Sequence, residues 1–226
     1  MPEQTAPLGV FGGTFDPVHF GHLRLAEEAA DSLGLTRIRW IPAGQPTHRA
    51  RENKLPRVAA AHRLEMVRLA IAGNPRFELD PAESEASGPS YTVTTLERLR
   101  LDAACGKQRP LVLLVGADAF AGLASWHRWE SLFDLAHIAI AHRPGFPIDA
   151  EQLPPALAAR FREHHSASAG VLSSAPAGRI VSFAMTQLDI SATRIRTLLT
   201  ARHSPRYLLP EAVIAYIQST FLYSQR

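Results

Sequence analysis

The sequence is short of cysteine, of long apolar runs and of like-charge blocks, and each shortage removes a class of protein. A single cysteine, Cys105, in 226 residues cannot form an internal disulfide, so a reducing compartment is expected. Cys105 sits in "LDAACGKQRP" with no ligands at metal-site spacing and reads as structural. No stretch approaches the roughly 20 apolar residues of a membrane span. The opening "MPEQTAPLGV" has neither a basic region nor an apolar core of a signal peptide. A cytoplasmic protein with no membrane partner is therefore expected. The 24 Lys+Arg against 21 Asp+Glu give a net charge of +3, with the basic residues scattered. The densest basic stretch, "HRARENK", is short and mixed, so no nucleic-acid partner is expected. There is no internal repeat, and the dinucleotide fingerprint G-x-G-x-x-G is missing, which takes the main support from a dehydrogenase reading.

What is present is ordinary globular composition, 46% hydrophobic and 20% charged, over a length suited to one domain spanning 1–226. Apolar runs and helical stripes alternate along it. "LGVF" (8–11), "RIRWIP" (37–42), "RFELD" (76–80), "PLVLLVGAD" (110–118), "HIAIAHR" (137–143) and "RIVSFA" (179–184) read as strands. Between them, Leu23, Ala26, Ala30 and Leu33, then Ala60, Leu64, Val67 and Ile71, fall at helical spacing. Residues 90–104 read as a third helix. Two more close the chain, one from about Ser191 and one opened by Pro210. Alternation of this kind predicts an α/β, Rossmann-like open parallel sheet with helices on both faces. Residues 145–178, rich in Pro, Ser, Ala and Gly, read as a variable insertion around one helix.

Ligands of open α/β sheets bind outside the carboxyl ends of the strands. That rim receives Gly12 to His22, Gly116 to Asp118, Arg143 and the approach to Ser191. In "GVFGGTFDPVHFGH" (9–22), Gly12 and Gly13 lack a Cβ and let a ligand approach the backbone. Pro17 and Gly21 fix a bend, after which His19 and His22 lie at a helix N-terminus, where free N–H groups favour an anion. Imidazoles there suit hydrogen bonds to phosphate. Capping residues or two ligands of a metal are the alternatives, although no third ligand completes a zinc set. Ser191 suits a helix N-cap, and Asp118 suits the cap of the helix that follows it.

The segment "GTFDPVHFGH" resembles the H-x-G-H signature of the nucleotidyltransferase superfamily, and its flanks are most similar to bacterial nicotinate-mononucleotide adenylyltransferases. "ISATRIR" (190–196) resembles that family's I-S-[ST]-x-x-R, with Ala192 in place of the second hydroxyl residue. "IPAGQPTHR", "GPSYT", "VGAD", "SWHRWESL" and "AHRPGF" extend the resemblance, in the expected order, over about residues 8–223. The resemblance implies transfer of AMP from ATP to nicotinate mononucleotide, in NAD biosynthesis, with pyrophosphate released. It implies that His19, His22 and Arg196 are catalytic. ATP would be bound by Gly12, Gly13, Thr14, Phe15, Gly21, Gly116, Asp118, Ile190, Ser191 and Thr193. Nicotinate mononucleotide would be bound by His48, Tyr91, Thr92, Trp126 and Arg143. Mg²⁺ would be carried mainly by ATP phosphates and water, with no protein metal site. Asp16 would order the loop or the waters of the metal. A homo-oligomer is compatible with the sequence. The same superfamily also includes adenylyltransferases for nicotinamide mononucleotide and phosphopantetheine, and a non-catalytic nucleotide sensor could keep this fold.

Overall fold

The structure is a computed structural model and describes residues 6–46, 55–102 and 105–224. Its centre is a seven-stranded sheet in the order β4-β2-β1-β6-β7-β9-β8, with every neighbouring pair parallel. The strands are β1 (Leu8–Gly13), β2 (Arg37–Pro42), β4 (Phe77–Leu79), β6 (Leu111–Gly116), β7 (His137–His142), β8 (His165–Ser166) and β9 (Ile180–Ala184). A second, two-stranded parallel pair joins β3 (Gln45–Pro46) to β5 (Pro89–Ser90).

The central strands β1 and β6 are apolar throughout because both faces of the sheet are covered. Along β6, Val112 and Leu114 enter one core cluster, while Leu111, Leu113 and Val115 enter the other. This is the two-residue alternation of a strand. On the first face lie α1 (Phe20–Leu33), α2 (Ala60–Ile71), α8 (Ala192–Thr200) and α9 (Glu211–Ser219). On the second lie α4 (Thr92–Leu101), α5 (Ala117–Ala121), α6 (Leu132–Leu135) and α7 (Pro155–His164). The short α3 (Ala82–Glu85) lies between β4 and β5 in the chain. Helix α1 buries Ala26, Ala29, Ala30 and Leu33, and it stops at Gly34, whose φ of 65° suits a glycine cap.

The expected sheet with helices on both faces is present. Some boundaries differ. The strand expected to reach Asp118 ends at Gly116, because Ala117 and Asp118 already form the first turn of α5. The helix expected from residue 90 begins at Thr92, with Ser90 held in β5 and Tyr91 as the N-cap. Strands β3, β5 and β8, of two residues each, are too short to leave a periodicity. Residues 145–178 hold α7 as expected, and they also add the edge strand β8 and bury Leu157, Phe161 and Leu172.

All strands being parallel, their carboxyl ends share one edge. β1 hands the chain to β2 on one side, while β6 and β7 extend the sheet on the other. The strand order therefore reverses between β1 and β6, which is where such sheets open a crevice for a ligand.

Candidate active site

At that reversal the segment from Gly12 to His22 turns from strand into helix. Gly13 is required because a Cβ there would lie 2.8 Å from the ring of Phe15. Phe15 itself is buried and takes the left-handed φ of 48°, held by ring contacts with Phe11, Trp40 and His22. Gly12 differs: it is exposed, and an added Cβ would meet only Ile41 O at 4.0 Å. Gly21 makes room for a histidine, since its Cβ would come within 3.0 Å of the His19 ring.

His19 is the N-cap of α1, and its backbone N–H donates to His22 Nδ1 at 3.2 Å. That bond settles the chemistry of His22. A ring whose Nδ1 accepts must, when neutral, carry its proton on Nε2. The two imidazoles stack with centroids 3.8 Å apart. Burial lowers the His19 pKa to about 4. Burial, then the neighbouring His19, pushes His22 well below the usual histidine range. Both rings are thus neutral donors or acceptors at physiological pH, and His19 Nδ1 is buried without a partner among the described residues.

Above about pH 6.5 both folded and unfolded histidines are neutral, and their contribution to stability is fully present. As pH falls from 6.5 towards 4 the unfolded chain takes up protons that the stacked pair refuses, so stability is lost. Thermal unfolding followed between pH 7.5 and 4.5 should show Tm falling through that window. His19→Asn should flatten the slope, and an unchanged slope would contradict the reading.

His22 opens onto a cleft of about 740 Å³, lined also by Gly116, Asp118, Trp126, Arg143, Ile190 and Ser191. Ser191 is the N-cap of α8, its Oγ accepting from Arg194 N–H at 3.2 Å, so two helix N-termini converge on one cleft. Asp118 is not a cap, because Gly116 holds that place in α5. It is exposed; its carbonyl accepts from Gly122 N–H at 3.3 Å, and its carboxylate makes no hydrogen bond to a described residue. Trp126 is half-buried at the cleft wall; Tyr91 packs against the same core cluster without lining the cleft, and its ring lies 4.4 Å from that of His127. Thr92 begins α4 next to Tyr91 and does not itself line the cleft.

Arg196 and Thr193 face a neighbouring cleft of about 760 Å³, shared with Arg57, Thr200 and Tyr223. Arg196 donates to Asp16 O at 2.6 Å and to Thr193 Oγ1 at 3.1 Å, which ties α8 to the loop that carries the histidines. The buried Asp16 carboxylate accepts from Arg57 N–H at 2.7 Å and from the Tyr223 hydroxyl at 2.6 Å. Its Oδ2 lies 3.8 Å from Arg196. Burial, then the Asp16 charge, raises the Tyr223 pKa and keeps the hydroxyl a donor. His48 lies outside the described residues. Among those described, no group of three or more His, Cys, Asp or Glu could hold a metal ion.

Sequence reasoning missed His127, His142, Tyr223 and Arg63. For Arg63 a signal existed: it falls on the apolar stripe of α2, where an arginine is out of place unless buried and bonded.

The cytidylyltransferase-like family profile matches residues 10–198. Three relatives carry the name "Probable nicotinate-nucleotide adenylyltransferase". That of Dechloromonas aromatica is 62% identical over 96% of this chain and 97% of its own length. That of Acidithiobacillus ferrooxidans is 43% identical over 96% and 95%, and that of Pseudomonas aeruginosa 45% over 96% and 96%. The chain is also similar in fold to a Plasmodium falciparum nicotinic acid mononucleotide adenylyltransferase solved in complex with NaAD. That likeness has a TM-score of 0.69 at 17% identity and covers 96% of this chain and 97% of that one.

Proposed function

The chain belongs to the cytidylyltransferase-like family and, within it, to the nicotinate-nucleotide adenylyltransferases, and we propose that its cleft transfers AMP from ATP to nicotinate mononucleotide in the way its own residues dictate. The phosphate oxygen of the mononucleotide attacks the α-phosphorus of ATP. The bond from that phosphorus to the bridging oxygen breaks, and nicotinate adenine dinucleotide and pyrophosphate result. The nucleophile is already an anion, so no general base is required. What the protein must supply is alignment and stabilisation of the charge that builds on the transferring group.

The observation that carries this reading is the fixed neutral tautomer of His22. Its Nε2–H makes no bond to any described residue and stands at the N-terminus of α1, on the cleft between β1 and β6. A neutral donor of this kind tightens as phosphoryl charge grows and takes no part in proton transfer. His19, stacked on it, offers the second imidazole. Arg196, with Ser191 and the start of α8, is assigned to the β- and γ-phosphates, and Asp118 with Gly116 to the ribose. Gly12, Gly13, Thr14, Phe15, Gly21, Ile190 and Thr193 complete the ATP side. On the other side, Trp126 and Tyr91, with Thr92, Arg143 and His48, receive the mononucleotide.

The reaction calls for a divalent cation, and Mg²⁺ is the ion proposed. The donor set offers it no carboxylate cage: Asp16 is spent on Arg57, Tyr223 and Arg196, and Asp118 stands alone. The ion therefore fits as a passenger on ATP oxygens and water, where it neutralises phosphate charge. We assign the protein to the cytoplasm; among the described residues no helix is long and apolar enough to cross a membrane.

Nicotinate adenine dinucleotide should appear by mass spectrometry only when both nucleotides and Mg²⁺ are present. A protein that binds ATP without forming it would be a sensor instead. Trp126→Ala should raise KM for the mononucleotide about tenfold, the loss of one stacking contact, with kcat nearly unchanged. An unchanged KM would remove Trp126 from the pyridine site.

A further inference from the structure

Arg63 is a buried cation that the chemistry above leaves unused. Arg63 is 1% exposed, and among the described residues no carboxylate lies within hydrogen-bond reach of it. Such a charge is costly to bury unless its donors are satisfied. Here the donors go to backbone carbonyls: Nε to Val58 O at 3.3 Å, one terminal nitrogen to Thr14 O at 2.8 Å and Ala43 O at 2.5 Å, the other to Gly44 O at 2.7 Å.

Those carbonyls belong to different halves of the site. Thr14 lies in the loop that runs from β1 to His19 and His22. Ala43 and Gly44 lead into β3, which pairs with β5 and so supports Tyr91 and Thr92. The second loop is fixed at almost every backbone atom. Pro42 O accepts from Ser84 Oγ, and Ala43 N–H donates to Gly13 O. Gly44 N–H and Gln45 N–H both donate to Ser90 Oγ, at 2.9 and 3.1 Å. A Cβ on Gly44 would lie 2.1 Å from Glu83 O, so the loop is pressed against α3. Among the described residues, only Arg63 reaches from this clamp to the Thr14 carbonyl.

We propose that Arg63 is a positioning residue of the transfer reaction. It fixes the ATP-side loop against the mononucleotide-side loop, and so sets the in-line distance between nucleophile and α-phosphorus without touching either substrate. The inference rests on the adenylyl-transfer reading. Misplacement by an ångström costs in-line reactions about 10²-fold, and the loss falls on kcat when binding contacts survive.

The test is steady-state kinetics of wild type, Arg63→Lys, Arg63→Ala and Ser90→Ala, with rates normalised to folded protein by circular dichroism. Arg63→Lys keeps the charge but cannot bridge three carbonyls. Its kcat should fall at least about 30-fold, with both KM values within about threefold. Millimolar guanidinium, but not equal NaCl, should restore part of the activity of Arg63→Ala. Ser90→Ala, which frees the Gly44 and Gln45 N–H groups and removes the hydroxyl bonded to Glu83 but leaves the Thr14 carbonyl held, should show a smaller loss, also in kcat. A folded Lys variant with wild-type kcat, a loss confined to KM, or a loss that tracks only the unfolded fraction overturns the proposal. If wild type itself forms no dinucleotide, the reading of the reaction fails and this role with it; if wild type is active and the variants undiminished, only the role of Arg63 fails.

Discussion

His22→Ala should lower kcat by about 10² to 10³-fold while KM for ATP and for the mononucleotide changes only a few-fold. The magnitude is that of removing one preorganised donor from a developing oxyanion. The donor is preorganised because His22 Nδ1 is already committed to the His19 N–H, which leaves Nε2–H as the free end. Two further replacements separate the ring's two roles. Asparagine can restore an acceptor near the Nδ1 position, so His22→Asn should recover the helix cap and thermal stability but not the rate. Glutamine reaches towards the Nε2 position, so His22→Gln should recover part of the rate. If alanine raises KM for ATP without lowering kcat, His22 holds ground-state substrate and not the transferring group.

Asp16→Ala should be the most destabilising single change in the first loop, by about 3–5 kcal/mol, the usual cost of breaking a buried ion pair. The carboxylate serves three partners from distant parts of the chain: Arg57 N–H ahead of α2, the Tyr223 hydroxyl beyond α9, and the Arg196 guanidinium of α8. Its removal leaves the Arg57 N–H and the Tyr223 hydroxyl without their acceptor and, among the described residues, leaves Arg196 the residue-16 carbonyl and Thr193. Tm should fall by roughly 10 °C at this chain length. Tyr223→Phe, which removes one of the three donors, should cost much less. Thermal unfolding of both variants checks this, and equal stability of Asp16→Ala and wild type would show the hub to be a bystander.

The sheet was legible because it obeys local rules. The runs "LVLLVG" and "IAIA" are apolar without interruption, as suits buried parallel strands, and α1 carries its alanine stripe and glycine cap in sequence. Elements of two residues leave no period to read, which is why β3, β5 and β8 were missed. They matter here, since β3 and β5 form the strand pair beneath Tyr91. The two histidines could be found from their place after a strand. Their tautomer could not, because it depends on which way a backbone N–H points. Arg63, Tyr223 and the partners of Asp16 are hardest to see, since these contacts run to backbone groups or to the far end of the chain. Spacing along a sequence does not encode either kind of contact.

Adenylyl transfer onto the acid form of a pyridine mononucleotide can be read as pyrophosphate release with ATP and Mg²⁺, with nicotinate mononucleotide, nicotinamide mononucleotide and phosphopantetheine offered in turn. Release should be fastest with nicotinate mononucleotide and absent with phosphopantetheine. Release with phosphopantetheine alone, or with none of the three, would contradict the account.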